Sequence, residues 1–148
     1  KPGTTLSRRN APRIADTLFR IHALLDHNGT DGVLAAQGGT AVGWALYVRE
    51  NRLEMRVRTG KGTVTVTAPD PLPDGRLTVA GEVGRERRAV LSVNGNPVAE
   101  AALPSLIVRL PDEDLCVGRD GEAPVGEYPE GDNAYGGTLR GVRIELEK

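Results

Sequence analysis

The chain has 148 residues, with 19 Lys and Arg against 20 Asp and Glu, and a formal net charge of -1 at pH 7. This length fits a single domain that can bury a core without a disulfide or a metal, and one cysteine excludes an internal disulfide. Because the charge is near zero and the sequence holds no run of about 18 apolar residues, we predict neither nucleic acid nor a membrane as a partner.

The N-terminal segment 1–12 is polar and is predicted to be a linker or an extension, with the folded domain at residues 13–148. Residues 14–25 then alternate apolar and polar side chains, most regularly from Phe19 to Ala23. A period of two is typical of a strand with one buried face. The domain is therefore expected to begin with a strand.

The next segments predict a turn, a central strand and a hairpin. Residues 26–31 are rich in Asn, Gly and Asp, and residues 33–37 are almost wholly apolar, which indicates a strand covered on both faces. The strands 43–49 and 53–58 flank a turn predicted at residues 50–52. In the second of these strands every other residue is charged, so one of its faces is expected to lie in water.

The remaining strands are separated by strong turn signals. The segment 69–75 holds three prolines, which cannot continue a ladder; residues 84–87 form a charged turn, and Asn94-Gly95 is the strongest hairpin signal in the chain. Strands are predicted at residues 63–67, 77–83, 89–93, 106–110, 115–118 and 138–147. About eleven strands without a helical period predict an all-β sandwich of two antiparallel sheets. The expected core includes Phe19, Val33, Leu46, Leu53, Val79, Leu91, Val142 and Ile144.

No residue is predicted to be catalytic and no metal site is assigned. His22 and His27 are expected to be solvated or hydrogen-bonded, because a zinc site needs three or four converging ligands. Cys116 stands between Leu115 and Val117 and is predicted to be a buried, inert core residue.

Two acidic segments leave bound calcium as an alternative to the prediction of no cofactor. Calcium takes six to eight oxygen ligands, usually from several loops at one point. The candidate carboxylates are Asp26, Asp31, Asp112, Glu113, Asp114 and Asp120.

Candidate ligand-binding residues are Arg49, Arg56, Arg58 and Tyr128. The two arginines at positions 56 and 58 lie on the charged side of their strand, and Arg49 is expected to share that side. Guanidinium groups bind sulfate bidentately, and a tyrosine ring can stack on the apolar face of a sugar. Aromatic residues make up only 3% of the chain, which argues against a strong carbohydrate site.

Several segments together resemble the C-terminal accessory domain of bacterial arylsulfatases. The segment 9–14 (RNAPRI) stands where that family begins its first strand, residues 32–39 read GVLAAQGG against its G-V-L-x-A-Q-G-G, and residues 44–48 read WALYV against its aromatic-S-L-Y-V. PLPDG at 71–75 is similar to its P-L-P-x-G. The resemblance continues to the last strand in the segments 112–113 (DE), 117–120 (VGRD), 124–128 (PVGEY) and 137–139 (GTL), with Val142 and Ile144.

This resemblance implies a jelly-roll sandwich of concanavalin-A/laminin-G type that packs on, or shapes access to, the catalytic domain of a sulfatase in the same polypeptide. The parent would then be a sulfatase, with a periplasmic or extracellular location as one expectation. This segment lacks the family's C-x-P-x-R nucleophile motif, so it is predicted to be noncatalytic. A module that binds sulfated glycans, and an adhesion or assembly sandwich without an enzyme partner, stay open as alternatives.

Overall fold

Eleven strands in two antiparallel sheets form the described part of the chain, which comprises residues 5–6, 14, 17–39, 41–108, 111, 115–120, 125, 128 and 133–147 of this computed structural model. Sheet 1 has six strands in the spatial order β1 (Thr5–Leu6), β10 (Leu115–Val117), β3 (Gly32–Gly38), β4 (Gly43–Arg49), β5 (Arg52–Arg58) and β6 (Thr63–Thr67). Sheet 2 has five strands in the order β11 (Thr138–Glu147), β2 (Leu18–His27), β7 (Gly75–Gly84), β8 (Arg88–Val93) and β9 (Asn96–Ala102). This architecture confirms the predicted all-β two-sheet sandwich. Within these residues, no helix is long and apolar enough to cross a membrane.

The main core lies between the two sheets. Trp44 of sheet 1 is fully buried and packs at a ring-centroid distance of 6.0 Å from Phe19 of sheet 2. Of the eight residues predicted for the core, six are buried, and Val142 and Ile144 are half-buried against it. Val33 lies in a second, smaller apolar cluster on the other side of sheet 1. That outer cluster is consistent with the apolar run of β3, which is covered on both faces.

The β4–β5 hairpin closes through a two-residue turn, Glu50 and Asn51, rather than the three residues predicted. Both residues have positive φ, 52° and 62°. The Asp31 carboxylate accepts the backbone N–H groups of both turn residues, at 2.9 Å each. These two hydrogen bonds stabilise a left-handed turn that contains no glycine.

Two predicted strands differ from the structure at their bounds. The strand expected at 14–25 begins at Leu18 and continues to His27, while Ile14 is buried in the core without belonging to a strand. The strand expected at 106–110 is wrong for residues 106–108, which form a loop; residues 109–110 lie outside the described residues. This loop still buries Ile107, and the N–H of Val108 donates to Thr59 O at 2.9 Å. Ile107 therefore fills the core without belonging to a ladder, whereas Val108 is exposed.

The N-terminal segment contributes a short strand to sheet 1. Thr5–Leu6 pairs antiparallel with β10, with Thr5 opposite Cys116 and Leu6 opposite Leu115. These two residues fall within the segment 1–12 that the sequence predicts as a linker or extension. β1 is thus the edge strand of sheet 1 beside β10.

Candidate functional site

The strand register brings the predicted arginines to one face of sheet 1. Arg56 pairs with Ala45, and Arg49 pairs with Arg52 across the same two strands. Paired residues of antiparallel strands share a face, and alternate residues along a strand do so too. Arg49, Arg52, Arg56 and Arg58 therefore line the outer side of sheet 1, here called the arginine face. Arg52 was not among the predicted site residues, because the sequence pattern places it in the turn.

Hydrogen bonds hold two of these guanidinium groups against the sheet. Arg56 Nε donates to Thr65 Oγ1 at 2.8 Å, and Arg58 Nη1 donates to Gly39 O at 2.9 Å. Both side chains are half-buried, so their stems pack on the sheet while part of each remains open to solvent. Arg52 Nε is buried and has no hydrogen-bond partner among the described residues. The face thus presents several fixed cations.

A buried carboxylate lies among these arginines. Glu54 is 2% exposed, which contradicts the expectation that its whole side of β5 is wet. Thr67 Oγ1 donates to Glu54 Oε1 at 2.8 Å, and the Tyr47 hydroxyl donates to Glu54 Oε2. Arg49 Nη1 lies 3.7 Å from Glu54 Oε1. The carboxylate is buried because neighbouring strands supply two hydroxyl donors and a cation.

Tyr128 joins the arginine face through Tyr47. Its ring packs edge-on against Tyr47 at a centroid distance of 5.2 Å, and its hydroxyl donates to Asp120 Oδ2. Tyr128 and Tyr47 belong to the outer apolar cluster, whose other members are Val33, Ala36, Ala45 and Val125. Trp44 and Tyr47 point to opposite faces of β4, and both are buried, because this outer cluster covers Tyr47.

The segment that carries Tyr128 is anchored to sheet 1 by backbone and amide hydrogen bonds. Asn133 Oδ1 accepts from the Asp120 N–H at 2.7 Å, and Asn133 Nδ2 donates to Asp120 O at 2.9 Å. The N–H of Val33 donates to Asn133 O at 2.8 Å. The four predicted site residues are therefore brought to one side of one sheet.

The outer side of sheet 2 is also charged, but its cations are paired. We call it the charge-paired face; among its ion pairs are Arg20–Glu82 (3.7 Å), Arg76–Asp26 (3.2 Å) and Arg88–Glu100 (2.8 Å), and His22 Nε2 hydrogen-bonds to Glu145 Oε1 at 2.7 Å. The hydrogen bond from His22, and then the charge of Arg143, lower the pKa of Glu145. Desolvation alone would raise the pKa of Asp26, but hydrogen bonds from Arg76 and Arg140 hold it below its ordinary value.

A buried polar network joins the two sheets at one end of the sandwich. His27 Nε2 lies 2.6 Å from Asn51 Oδ1, and His27 Nδ1 lies 2.6 Å from the Tyr135 hydroxyl. Because Asn51 Oδ1 only accepts, Nε2 carries the proton, and in the neutral ring Nδ1 accepts from Tyr135. Burial, followed by the charge of Asp26, raises the pKa of Tyr135 to about 12. Both histidines are therefore hydrogen-bonded, one of the two states expected for them.

The residues suggested for calcium do not converge where they can be described. Asp31 caps the Glu50–Asn51 turn, and Asp26 binds two arginines. The described residues hold no group of three His, Cys, Asp or Glu side chains suited to a metal ion. Residues 112–114 lie outside the described part of the chain. The predicted absence of a cofactor, with calcium as the alternative, stays a prediction.

Comparison with solved structures shows that the sandwich resembles known domains in fold. Domains LG4-5 of the mouse laminin alpha1 chain match at a TM-score of 0.73 and 17% identity, covering 100% of this chain and 41% of that one. The Ruminococcus gnavus IT-sialidase CBM40 bound to alpha2,3 sialyllactose matches at a TM-score of 0.62 and 17% identity, covering 97% and 84%.

At this identity the likeness establishes the fold alone, a jelly-roll sandwich of laminin-G-like type. No family model and no curated protein matches the sequence. These comparisons provide no link to an arylsulfatase, so the resemblance seen in the sequence stays a hypothesis. The prediction of a noncatalytic segment stays a prediction.

Proposed function

We propose that this chain is a noncatalytic module that binds a sulfated glycan on the arginine face. The observation that carries this proposal is the alignment of Arg49, Arg52, Arg56 and Arg58 on one side of two neighbouring strands. Alternate residues of a strand lie about 6.6 Å apart, so the row offers repeated cationic positions to an extended anionic chain. Arginine suits this role because its planar guanidinium binds sulfate oxygens in pairs.

The surroundings of the arginines support an anionic rather than a neutral ligand. Glu54 is the only carboxylate that the register places on the described part of this face, and it is buried beneath Thr67, Tyr47 and Arg49. Tyr128 is the one aromatic side chain predicted for the site, and it makes a T-shaped contact with Tyr47 beside the outer apolar cluster. Affinity would therefore come chiefly from sulfate contacts and fall with added salt.

A glycan array tests this proposal. We expect sulfated glycans to bind and their unsulfated counterparts to bind weakly or not at all. Arg56→Ala and Arg58→Ala should each weaken binding about tenfold, since a charged hydrogen bond contributes about 1.5–3 kcal/mol. Selective binding to neutral glycans, or binding to sulfated ones that neither substitution changes, would refute the proposal.

A second candidate is an accessory domain that packs on a sulfatase catalytic domain in the same polypeptide. The observation that favours it is the set of motifs at residues 32–39 and 44–48, which form β3 and β4 of the described sheet. Their side chains are almost all buried, so these motifs would preserve the packing of sheet 1. In this case β5, with Arg56 and Arg58 on its outer side, would face the catalytic domain.

The sequence of the complete polypeptide distinguishes the two candidates. A C-x-P-x-R motif, or its form with serine in place of cysteine, upstream of this chain would support the sulfatase parent, and the absence of both forms from the whole polypeptide would exclude this candidate. In either case we expect the isolated chain to leave a chromogenic aryl sulfate unhydrolysed. Turnover by purified protein would show that the module is catalytic.

A further inference from the structure

We propose that the edge strand β11 pairs antiparallel with β11 of a second copy of this chain, about a twofold axis at Ile144. β11 is the edge of sheet 2, and no other strand in the described residues pairs with its outer side. An edge strand presents unpaired N–H and C=O groups, which another chain can satisfy. The pairing does not depend on the proposed glycan function.

Among the four sheet edges, β11 is best suited to such pairing. It is ten residues long and free of proline. β1 has two residues, β6 has five, and β9 carries Pro97, which cannot donate to a ladder. The register shift of β11 falls between Leu139 and Gly141, so the strand beyond Gly141 pairs regularly with β2. That regular stretch is long enough to form a ladder on its outer side.

The charges of β11 select one register. In an antiparallel pair of strands, residues that lie opposite each other point to the same face of the sheet. The twofold axis must therefore pass beside one residue, which lies opposite the same residue of the other copy. A centre at Arg143 opposes two arginines, and a centre at Glu145 opposes two glutamates. A centre at Ile144 instead places Arg143 opposite Glu145 of the other copy, twice in each dimer. A centre at Val142 would run across the bulge.

The apolar side of β11 fits the same register. Val142 and Leu146 face sheet 1, as Ile144 does. The twofold axis at Ile144 would place Val142 of each copy opposite Leu146 of the other copy. Leu146 is 41% exposed, the most exposed large apolar side chain among the described residues. Pairing would cover it with Val142 of the other copy, so apolar burial adds to the backbone ladder.

The dimer would also orient the two arginine faces alike. A twofold axis perpendicular to a sheet leaves the direction of the sheet normal unchanged, so both copies present sheet 1 on the same side. If the proposed function holds, one glycan chain could contact both faces, which raises the apparent affinity through effective concentration. This consequence rests on the proposed function, whereas the pairing does not.

Sedimentation velocity of the purified chain over a series of concentrations tests the pairing. We expect the wild type to form a dimer at the upper end of the series. Glu145→Arg should weaken association about tenfold or more. In this variant Arg143 of each copy would lie opposite an arginine of the other copy, so each dimer would contain two repulsive pairs. The double variant Arg143→Glu/Glu145→Arg restores opposite charges and should restore the dimer.

Glu100→Arg on β9 is the matched control, since the side chains of Glu100 and Glu145 are 55% and 54% exposed and each has an arginine or histidine partner. It should leave association unchanged. Circular dichroism checks that each variant is folded. A wild type that is monomeric at every concentration would refute the pairing. A double variant that is folded but no more associated than Glu145→Arg would refute the register.

Discussion

The two outer faces of this sandwich carry similar numbers of arginines but use them differently. On the charge-paired face, Arg20, Arg76 and Arg88 each meet a carboxylate on a neighbouring strand. On the arginine face, Glu54 is buried, and Arg58 hydrogen-bonds to the neutral backbone oxygen of Gly39. A neutral partner holds the Arg58 guanidinium in place without cancelling its charge. The faces thus differ less in the number of their arginines than in their carboxylates, which are partly exposed in ion pairs on the charge-paired face and buried at Glu54 on the arginine face.

The largest expected effect concerns the buried carboxylate of the arginine face. Glu54→Ala removes the acceptor of two hydroxyl groups and leaves Arg49 without its carboxylate, so we expect a loss of about 3 kcal/mol in the free energy of unfolding. Urea denaturation measures this loss. Glu100→Ala on the charge-paired face is the control and should cost less than about 0.5 kcal/mol, because exposed pairs contribute little. Equal losses in the two variants would contradict the difference between the faces.

A smaller effect is expected at Cys116, which lies on the outer side of sheet 1 opposite Ala36 and is 2% exposed. The predicted burial is confirmed, and inertness stays a prediction. Cys116→Ala should cost about 1 kcal/mol through a small cavity. Labelling of the native thiol should be much slower than labelling in denaturant. Equal rates would show that this end of sheet 1 is open to solvent.

The smallest effect concerns acid and the charge-paired face. Folding lowers the pKa of Asp26 below its ordinary value of 3.8. At a pH between these two pKa values, the unfolded chain therefore binds more protons than the folded chain. The stability from this group is therefore fully present above about pH 4 and is lost as the pH falls through the folded value. The thermal midpoint should decline on acidification below about pH 4, and Asp26→Asn should flatten the decline. An unchanged slope in that variant would exclude this role.

Period-two patterning predicted most of the fold because the sandwich core fills from alternate residues of each strand. The same rule placed Arg56 and Arg58 together on β5. It failed at residues 106–108, where Ile107 enters the core from a loop. An apolar run alone does not distinguish a buried strand from a buried loop.

The burial of Glu54 could not be predicted, because it depends on strand pairing. Tyr47 and Thr67 belong to β4 and β6, and only the register places both beside Glu54. Arg52 was missed for a related reason, because the turn is one residue shorter than expected. Asp31, which lies outside the hairpin, stabilises this shorter turn by accepting two of its backbone N–H groups. Contacts between segments that are distant in the sequence thus determine which residues form the site and which are buried.

Affinity electrophoresis in gels that contain dextran sulfate tests the central claim most directly. The double variant Arg56→Ala/Arg58→Ala removes two charges from the arginine face, and Arg76→Ala/Arg88→Ala removes two from the charge-paired face. We predict that the first variant loses most of its retardation, that the second retains it, and that neutral dextran retards neither. Equal loss in both variants would show binding through total charge, and would contradict a site on the arginine face.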